Sequence, residues 1–276
     1  FLAWSVISAL GFLAVSPAVA DMVDYHDYVQ GLSQTLAQYD FDGATDAERL
    51  EDKKGTNDLT QSGTVTYRVA GYDATSEAFT PGITPIGTLL TSSSIILPPS
   101  GATCEMVFRP DDISGTAGYI VAAYDLSNRS YLALTQSGNL TARAGTGSFS
   151  AGAYSTDHWY YMATTMSYDS GSNTTAVTVY LADLSSETPT LAAHSGTMPG
   201  TFSIDLPYGI GALWYNSAPQ WSFHGDIDEV TFYSGVMGEA FLQKNLNRIA
   251  NIPEPSSVLL ALLGVCGFGM VVRRYR

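Results

Sequence analysis

Three acids near the end of the chain, Asp226, Asp228 and Glu229, are the residues whose type and spacing come closest to a reactive set. They fall in Gly225-Asp-Ile-Asp-Glu-Val-Thr-Phe-Tyr233, which reads as a strand, so Asp226 and Asp228 are expected on one face and Glu229 on the other. Paired carboxylates can hydrolyse glycosides when two of them stand about 5 to 5.5 Å apart across a sugar cleft and one stays protonated. Carboxylates beside glycine can instead bind calcium, which takes about six to eight oxygen ligands. A second acidic segment, Asp40-Phe-Asp42-Gly43, offers similar donors, and Gly43 and Gly225 leave room for backbone carbonyls. Asp40, Asp42, Asp226 and Asp228 are each of a type that could donate to calcium, with solvated acids at exposed strand ends as the other reading. Such an ion would hold strands together rather than catalyse anything.

Other constellations are incomplete. His26, His158, His194 and His224 occur singly, so neither a zinc site nor a Ser/His/Asp triad is signalled. Gly138, Gly145 and Gly147 sit in hairpin turns rather than between a strand and a helix, which excludes a phosphate loop. Cys104, in the alternating Thr-Cys-Glu-Met-Val-Phe, is expected as a buried free thiol, and Cys266 lies in the apolar tail, so no disulfide framework exists. Aromatics gather in Pro207 to Trp221, where Tyr208, Trp214, Tyr215 and Trp221 surround a Pro/Ser loop. They can stack on sugar rings or pack within a sheet, and both readings stand; Trp159, in an apolar strand, is expected in the core.

The elements that must position these residues are short β-rich runs separated by Gly, Ser, Asn, Asp and Pro. The pattern predicts strands at 36–41, 64–69, 102–109, 118–125, 130–135, 140–144, 159–168, 176–183, 209–214 and 225–233. In the run 175–182, Val177, Val179 and Leu181 share one face and Thr178 and Tyr180 the other. Turn signals such as Ser137-Gly138-Asn139 fall between runs at hairpin lengths. Amphipathic helices are expected only at the edges, over 25–39 and 238–249. The fold class is therefore all-β, with two antiparallel sheets packed as a sandwich.

Both ends of the chain are apolar. Phe1 to Ala20 is uncharged and closes with Ser16-Pro-Ala-Val-Ala20, which reads as a signal peptide cut before Asp21 by signal peptidase, its first residues missing; a retained anchor is the other reading. At the C-terminus, Pro253-Glu254-Pro255 precedes the uncharged run 256–272, and Arg273, Arg274 and Arg276 follow it. That run is just long enough to cross a bilayer, and basic flanks stay cytoplasmic, which leaves the preceding residues outside. The ends hold one acid and three bases, so residues 21–251 carry 25 acids against 9 bases, a balance that excludes nucleic acid as a partner. About 230 residues between the signals suit one large β-domain. The expected division is 1–20 signal peptide, 21–34 lead-in, 35–250 domain and 251–276 sorting segment with a membrane helix at 256–272.

The tripeptide, helix and arginine cluster resemble the PEP-CTERM sorting signal of Gram-negative bacteria, with Pro253, Glu254, Pro255, Arg273, Arg274 and Arg276 as the matching residues. That resemblance implies export through the inner membrane, processing by an exosortase, and delivery to the cell surface or extracellular matrix in an exopolysaccharide or biofilm setting.

A second resemblance spans residues 35–248. Ala37-Gln-Tyr-Asp-Phe-Asp-Gly43, Asp73 to Phe79, Glu105 to Pro110, His158 to Ala163, Val177 to Tyr180 and Phe223 to Phe241 resemble, in order, landmarks of laminin-G-like, concanavalin A-like jelly rolls. Val107 stands where the family usually has Trp, and the turn after Tyr180 lacks the usual Asn-Gly. The resemblance implies that the first and last strands are neighbours, bringing Asp40 or Asp42 near Asp226 or Asp228. Some relatives are glycosidases with a Glu-x-Asp-x-x-Glu type of spacing. Here the first acid is Asp, and no Glu stands at the required offset on the same face. The expectation is a non-catalytic protein that binds polysaccharide or another matrix component, against the alternatives of a glycan hydrolase or lyase and a ligand-free coat protein.

Overall fold

A computed structural model describes residues 22–73, 75–91, 95, 97–112, 118–124, 129–202 and 207–250. The sorting segment and the apolar N-terminus expected to be a signal peptide lie outside the described residues. In chain order the elements begin with helix α1 (Val23–Gln30), β1 (Thr35–Tyr39), the short helix α2 (Asp46–Arg49), β2 (Thr60–Ser62), β3 (Val65–Ala70), β4 (Glu77–Pro81) and β5 (Thr88–Leu90). Next come β6 (Ala102–Pro110), β7 (Gly118–Tyr124), β8 (Arg129–Gln136), β9 (Asn139–Ala144), β10 (Gly147–Ala153), β11 (Tyr160–Asp169), β12 (Thr174–Asp183) and β13 (Ala192–Pro199). The last are β14 (Gly209–Ile210), β15 (Leu213–Tyr215), β16 (Ala218–Gln220), β17 (Gly225–Ser234) and helix α3 (Glu239–Ile249).

Two sheets result. Sheet A runs β13-β12-β11-β6-β17-β4-β3, with β1 also on β17, and sheet B runs β10-β9-β8-β7-β14-β5-β2, with the β15-β16 hairpin against β7. The first and last strands are neighbours, as expected: Tyr39 pairs with Val230 and Thr35 with Tyr233. One edge of β17 is shared end to end, by β1 along residues 230–233 and by β4 at Ile227.

Strand period decides what enters the core. Val177, Val179 and Leu181 face the space between the sheets with Met162, Met166, Phe108, Ile227, Val230 and Phe232, while Thr178 and Tyr180 face out. Cys104 is a buried free thiol within this cluster. Ser137 and Gly138 both take positive φ between the paired Gln136 and Asn139, the conformation of a two-residue hairpin turn.

Several expectations needed correction. The helix expected over 25–39 ends at Gln30, because Thr35–Tyr39 satisfies its backbone by pairing with β17. Strands β2, β4, β5, β10, β13 and β16 carried no clear alternation. Segments such as Gly147-Ser-Phe-Ser-Ala-Gly-Ala153 and Ala192-Ala-His-Ser-Gly-Thr-Met-Pro199 become strands because neighbouring strands offer them ladders.

The outer face of sheet A is partly covered by the two longer helices. Leu242, Asn245, Leu246 and Ile249 recur at helical spacing on the buried side of α3, and Tyr25 and Val29 do so on α1. They pack on Val107, Tyr161, Ala163 and Tyr233. In the middle of this layer lies Glu105, only 1% exposed. Tyr25 and Tyr233 each donate a hydroxyl to its Oε2 at 3.1 Å, and Asn245 Nδ2 donates to both oxygens at 3.0 Å. Burial raises Glu105 to about 7, against the lowering effect of these donors. Residues 22–250 thus carry both sheets, both covering helices and the clusters they bury, which is what a segment needs to fold by itself.

Glu105→Ala leaves buried donors of Tyr25, Tyr233 and Asn245 without their acceptor and is expected to cost about 3–5 kcal/mol. Glu105→Gln, which keeps an acceptor, is expected to cost about 1–2 kcal/mol. Chemical denaturation of residues 22–250 checks the ranking; equal losses would show that keeping an acceptor there contributes nothing.

Candidate functional site

Two regions gather the residues singled out by type: an acidic corner on sheet A and an aromatic face on sheet B. The acidic corner forms where β1 and β4 meet along β17. The ladder between β17 and β6 shifts between Ile227 and Glu229, so two consecutive residues, Asp228 and Glu229, lie between the interior Ile227 and Val230. The simple alternation expected for Asp228 and Glu229 fails at this bulge, and both acids turn away from the interior.

Asp228 is fully buried, and its Oδ2 accepts from the Tyr72 amide at 2.6 Å and the Ser76 hydroxyl at 2.9 Å. Glu229 is 1% exposed and bonds the His26 ring of α1. Asp42 accepts from the Glu77 amide, and Asp40 lies 3.4 Å from the Lys53 ammonium. Asp73, which also accepts from the Met22 amide at 3.2 Å, completes the group. Asp226 belongs elsewhere: its carboxylate takes two bonds from the Arg109 guanidinium and one from the Thr80 hydroxyl.

The electrostatics follow from this packing. Burial pushes Asp228 well above the usual carboxylate range, and the charges of Glu229 and Asp42 add to it. Burial lifts Glu229 to about 7 against the pull of His26, and Asp42 to about 6. Burial disfavours the charged form of His26, yet Glu229, with Asp40 and Asp42 behind it, overrides burial and lifts the imidazole to about 9. Asp228 Oδ1 and Glu229 Oε2 are buried with no hydrogen-bond partner. The corner therefore sheds excess negative charge by holding protons, and His26 and Lys53 supply positive charge from the protein itself.

This arrangement does not assemble the expected calcium ligands. Asp40, Asp42 and Asp228 reach one corner, but Asp226 is engaged by Arg109. Among the described residues no group of three or more His, Cys, Asp or Glu converges as a metal site. The same burial leaves no sugar-sized approach to Asp228 or Glu229. A shallow cavity of about 80 Å³ on the outer face of sheet A is lined by Thr165, Met166, Ser167, Ala176, Thr178 and Val236, without any carboxylate.

On sheet B, the expected aromatic set divides. Tyr208 is fully buried in the interior cluster, its hydroxyl 3.1 Å from that of Ser130; it is core and not available to a ligand. Alternation along β15 places Trp214 on the face opposite to Leu213 and Tyr215. Tyr215 packs on an outer cluster of Tyr119, Ala122 and Leu213. Trp221 is 46% exposed, with its ring centroid 5.9 Å from that of Tyr119. Tyr119, missed as a site residue because it sits in an apolar strand, is the base of this face; its amide also donates to the Trp221 carbonyl at 3.3 Å.

Unusual backbone angles shape the face. Asn216 and Ser217, at φ 50° and 59°, form the two-residue turn that joins the paired Tyr215 and Ala218. Trp221 itself sits at φ 50°, an uncommon conformation for a bulky residue and one that local packing must impose.

Comparison with known proteins gives the class in two parts. The fold is that of solved β-sandwich domains, and residues 251–276 match the family model of the PEP-CTERM protein-sorting motif. That motif marks an exported, surface-sorted protein processed by an exosortase. Among the described residues no helix is long and apolar enough to cross a membrane, and the expected span 256–272 lies outside them.

The chain is similar to domain 4 of AbnA, a GH43 extracellular arabinanase from Geobacillus stearothermophilus solved in complex with arabinotriose. The two are 17% identical over 77% of this chain and 98% of that one, with a TM-score of 0.53. It is also similar to the binding domain of botulinum neurotoxin serotype D/C, at 10% identity over 80% of this chain and 53% of that one, with a TM-score of 0.55. A mutant Trypanosoma rangeli sialidase displaying trans-sialidase activity aligns at 11% identity over 84% and 38%, with a TM-score of 0.50. At these identities the likeness is one of fold. No curated protein matches the sequence.

The protonated corner predicts a pH dependence. Asp228, Glu229 and His26 all bind protons more tightly when folded, so they contribute a stability that falls as pH rises. Glu229 acts between about 4.5 and about 7, and His26 between 6.5 and about 9. Thermal midpoints are expected to drop between about pH 5 and pH 9 and to be unmoved by millimolar calcium. Asp228→Asn keeps an acceptor for Tyr72 and Ser76, removes the charge, and is expected to raise the midpoint at pH 8 by roughly 2–6 °C. A rise on adding calcium would instead show a metal bound to the native state.

Proposed function

We propose that the protein is a non-catalytic binding protein of the cell surface or extracellular matrix of a Gram-negative bacterium. It recognises polysaccharide or another matrix component, in an exopolysaccharide or biofilm setting. The observation that carries this reading is Trp221, half exposed over Tyr119, with Tyr215 packed on the same Tyr119 cluster on the outer face of sheet B. Aromatic faces of this kind cover the apolar C–H surface of a sugar ring, and Asn216, Ser217 and Gln220 stand at the rim to meet hydroxyls. The sorting motif supports delivery to where such polymers are, and the similarity to an arabinanase domain solved with arabinotriose supports a glycan as the ligand class. The burial of Asp228 and Glu229 and the pairing of Asp226 with Arg109 support the non-catalytic part of this reading.

Calorimetric titration of residues 22–250 with bacterial and algal polysaccharides tests this. At least one polymer is expected to bind, and Trp221→Ala is expected to weaken it about tenfold or more, corresponding to about 1.4 kcal/mol, without changing the thermal midpoint. Unchanged affinity in that variant would remove the aromatic face as the site.

A further inference from the structure

An antiparallel sandwich has open edges, and of the four strands that end the two sheet paths, three carry features that block the addition of another strand. In β3 the ladder shifts at Arg68, a charged residue at φ 64°. In β10 the ladder shifts between Ser150 and Gly152, which sits at φ 122°. β2 has only three residues. Bulges, charges and shortness are the usual protections of an edge.

β13 has none of these. Its eight residues, Ala192-Ala-His-Ser-Gly-Thr-Met-Pro199, pair with β12 in unbroken register, contain no Asp, Glu, Lys or Arg, and hold no proline before the last position. Ala192, Ala193, His194, Ser195 and Thr197 are exposed, and among the described residues no strand pairs with the free edge. The one glycine of β13 is also fixed from within. Phe149 of β10 lies against Gly196, where a Cβ would meet its ring at 2.5 Å, so no side chain can grow on that face.

We propose that β13 pairs with β13 of a second copy of this chain, antiparallel about a two-fold axis near Ser195, to join two A sheets into one. Antiparallel pairing of identical strands is self-complementary, as a two-fold contact requires. Charge favours this edge over the rest of the surface for contact with a second copy. The chain has a net charge of −14, so a second copy is repelled over most of the surface but meets no formal like charge along β13. Small exposed side chains, Ala193, Ser195 and Thr197, leave the backbone open to approach.

Light scattering and sedimentation of residues 22–250 across the micromolar to millimolar range test the proposal, with amide exchange followed over the same range. The expected result is a reversible dimer whose formation protects amides of residues 192–199. Ala193→Lys/Thr197→Lys, two exposed changes that bring lysines together across the axis, is expected to give a folded monomer. Ser195→Cys is expected to form an intermolecular disulfide on oxidation, since Cys104 is buried. A monomer at every concentration, a dimer that persists in the lysine variant, or protection elsewhere than 192–199 would overturn it.

Discussion

The carboxyl of Glu105, enclosed by Tyr25, Tyr233 and Asn245, ties a strand in the middle of sheet A to both covering helices. A sandwich of two sheets has one interior and two outer faces, and each outer face must be either solvated or covered. Here α1 and α3 cover part of that of sheet A, and a buried acid with donors from α1, β17 and α3 fixes how they sit. An acid buried without such donors would cost several kcal/mol, so helices and sheet are held to one arrangement. The helices cover only part of the outer face of sheet A: Ala176, Ala193, Ser195 and Thr197 stay exposed beyond them.

The same covering layer explains why an acidic chain keeps carboxylates out of water. Asp228 and Glu229 are forced to one side by the bulge in β17, beneath the loop that carries Tyr72 and Ser76 and beside His26 of α1. Burial raises their affinity for protons, and His26 and Lys53 place positive charge beside Glu229 and Asp40. The corner therefore works as a fastener for the N-terminal helix. Neither an open acid pair nor a set of converging metal ligands results.

Much of this was legible in residue order. The central strands of both sheets followed from two-residue periodicity in runs such as Thr175 to Ala182, and α3 from its helical spacing and the Gly238 that precedes it. The pairing of the first and last strands followed from the likeness of their landmarks to a jelly roll. Edge and connecting strands such as β10 and β13 were not legible, since small polar residues acquire strand structure only from a neighbour's ladder. The bulge at Asp228 was equally hidden, because one inserted residue leaves no mark on composition yet reverses which face an acid takes. Tyr208 and Trp221 look alike in sequence, as aromatics in one loop-rich stretch. Only packing separates the first, against Phe232 in the interior, from the second, on the surface over Tyr119.

The central claim is that this sandwich binds an extracellular glycan without transforming it. The most direct measurement incubates the protein with polysaccharides of bacterial matrices and follows, in the same samples, the protein retained on the polymer and the new reducing ends or unsaturated ends released. The account predicts saturable retention on at least one polymer with no new ends over prolonged incubation. Chain ends that accumulate in proportion to protein would contradict it and return the acids to a catalytic role.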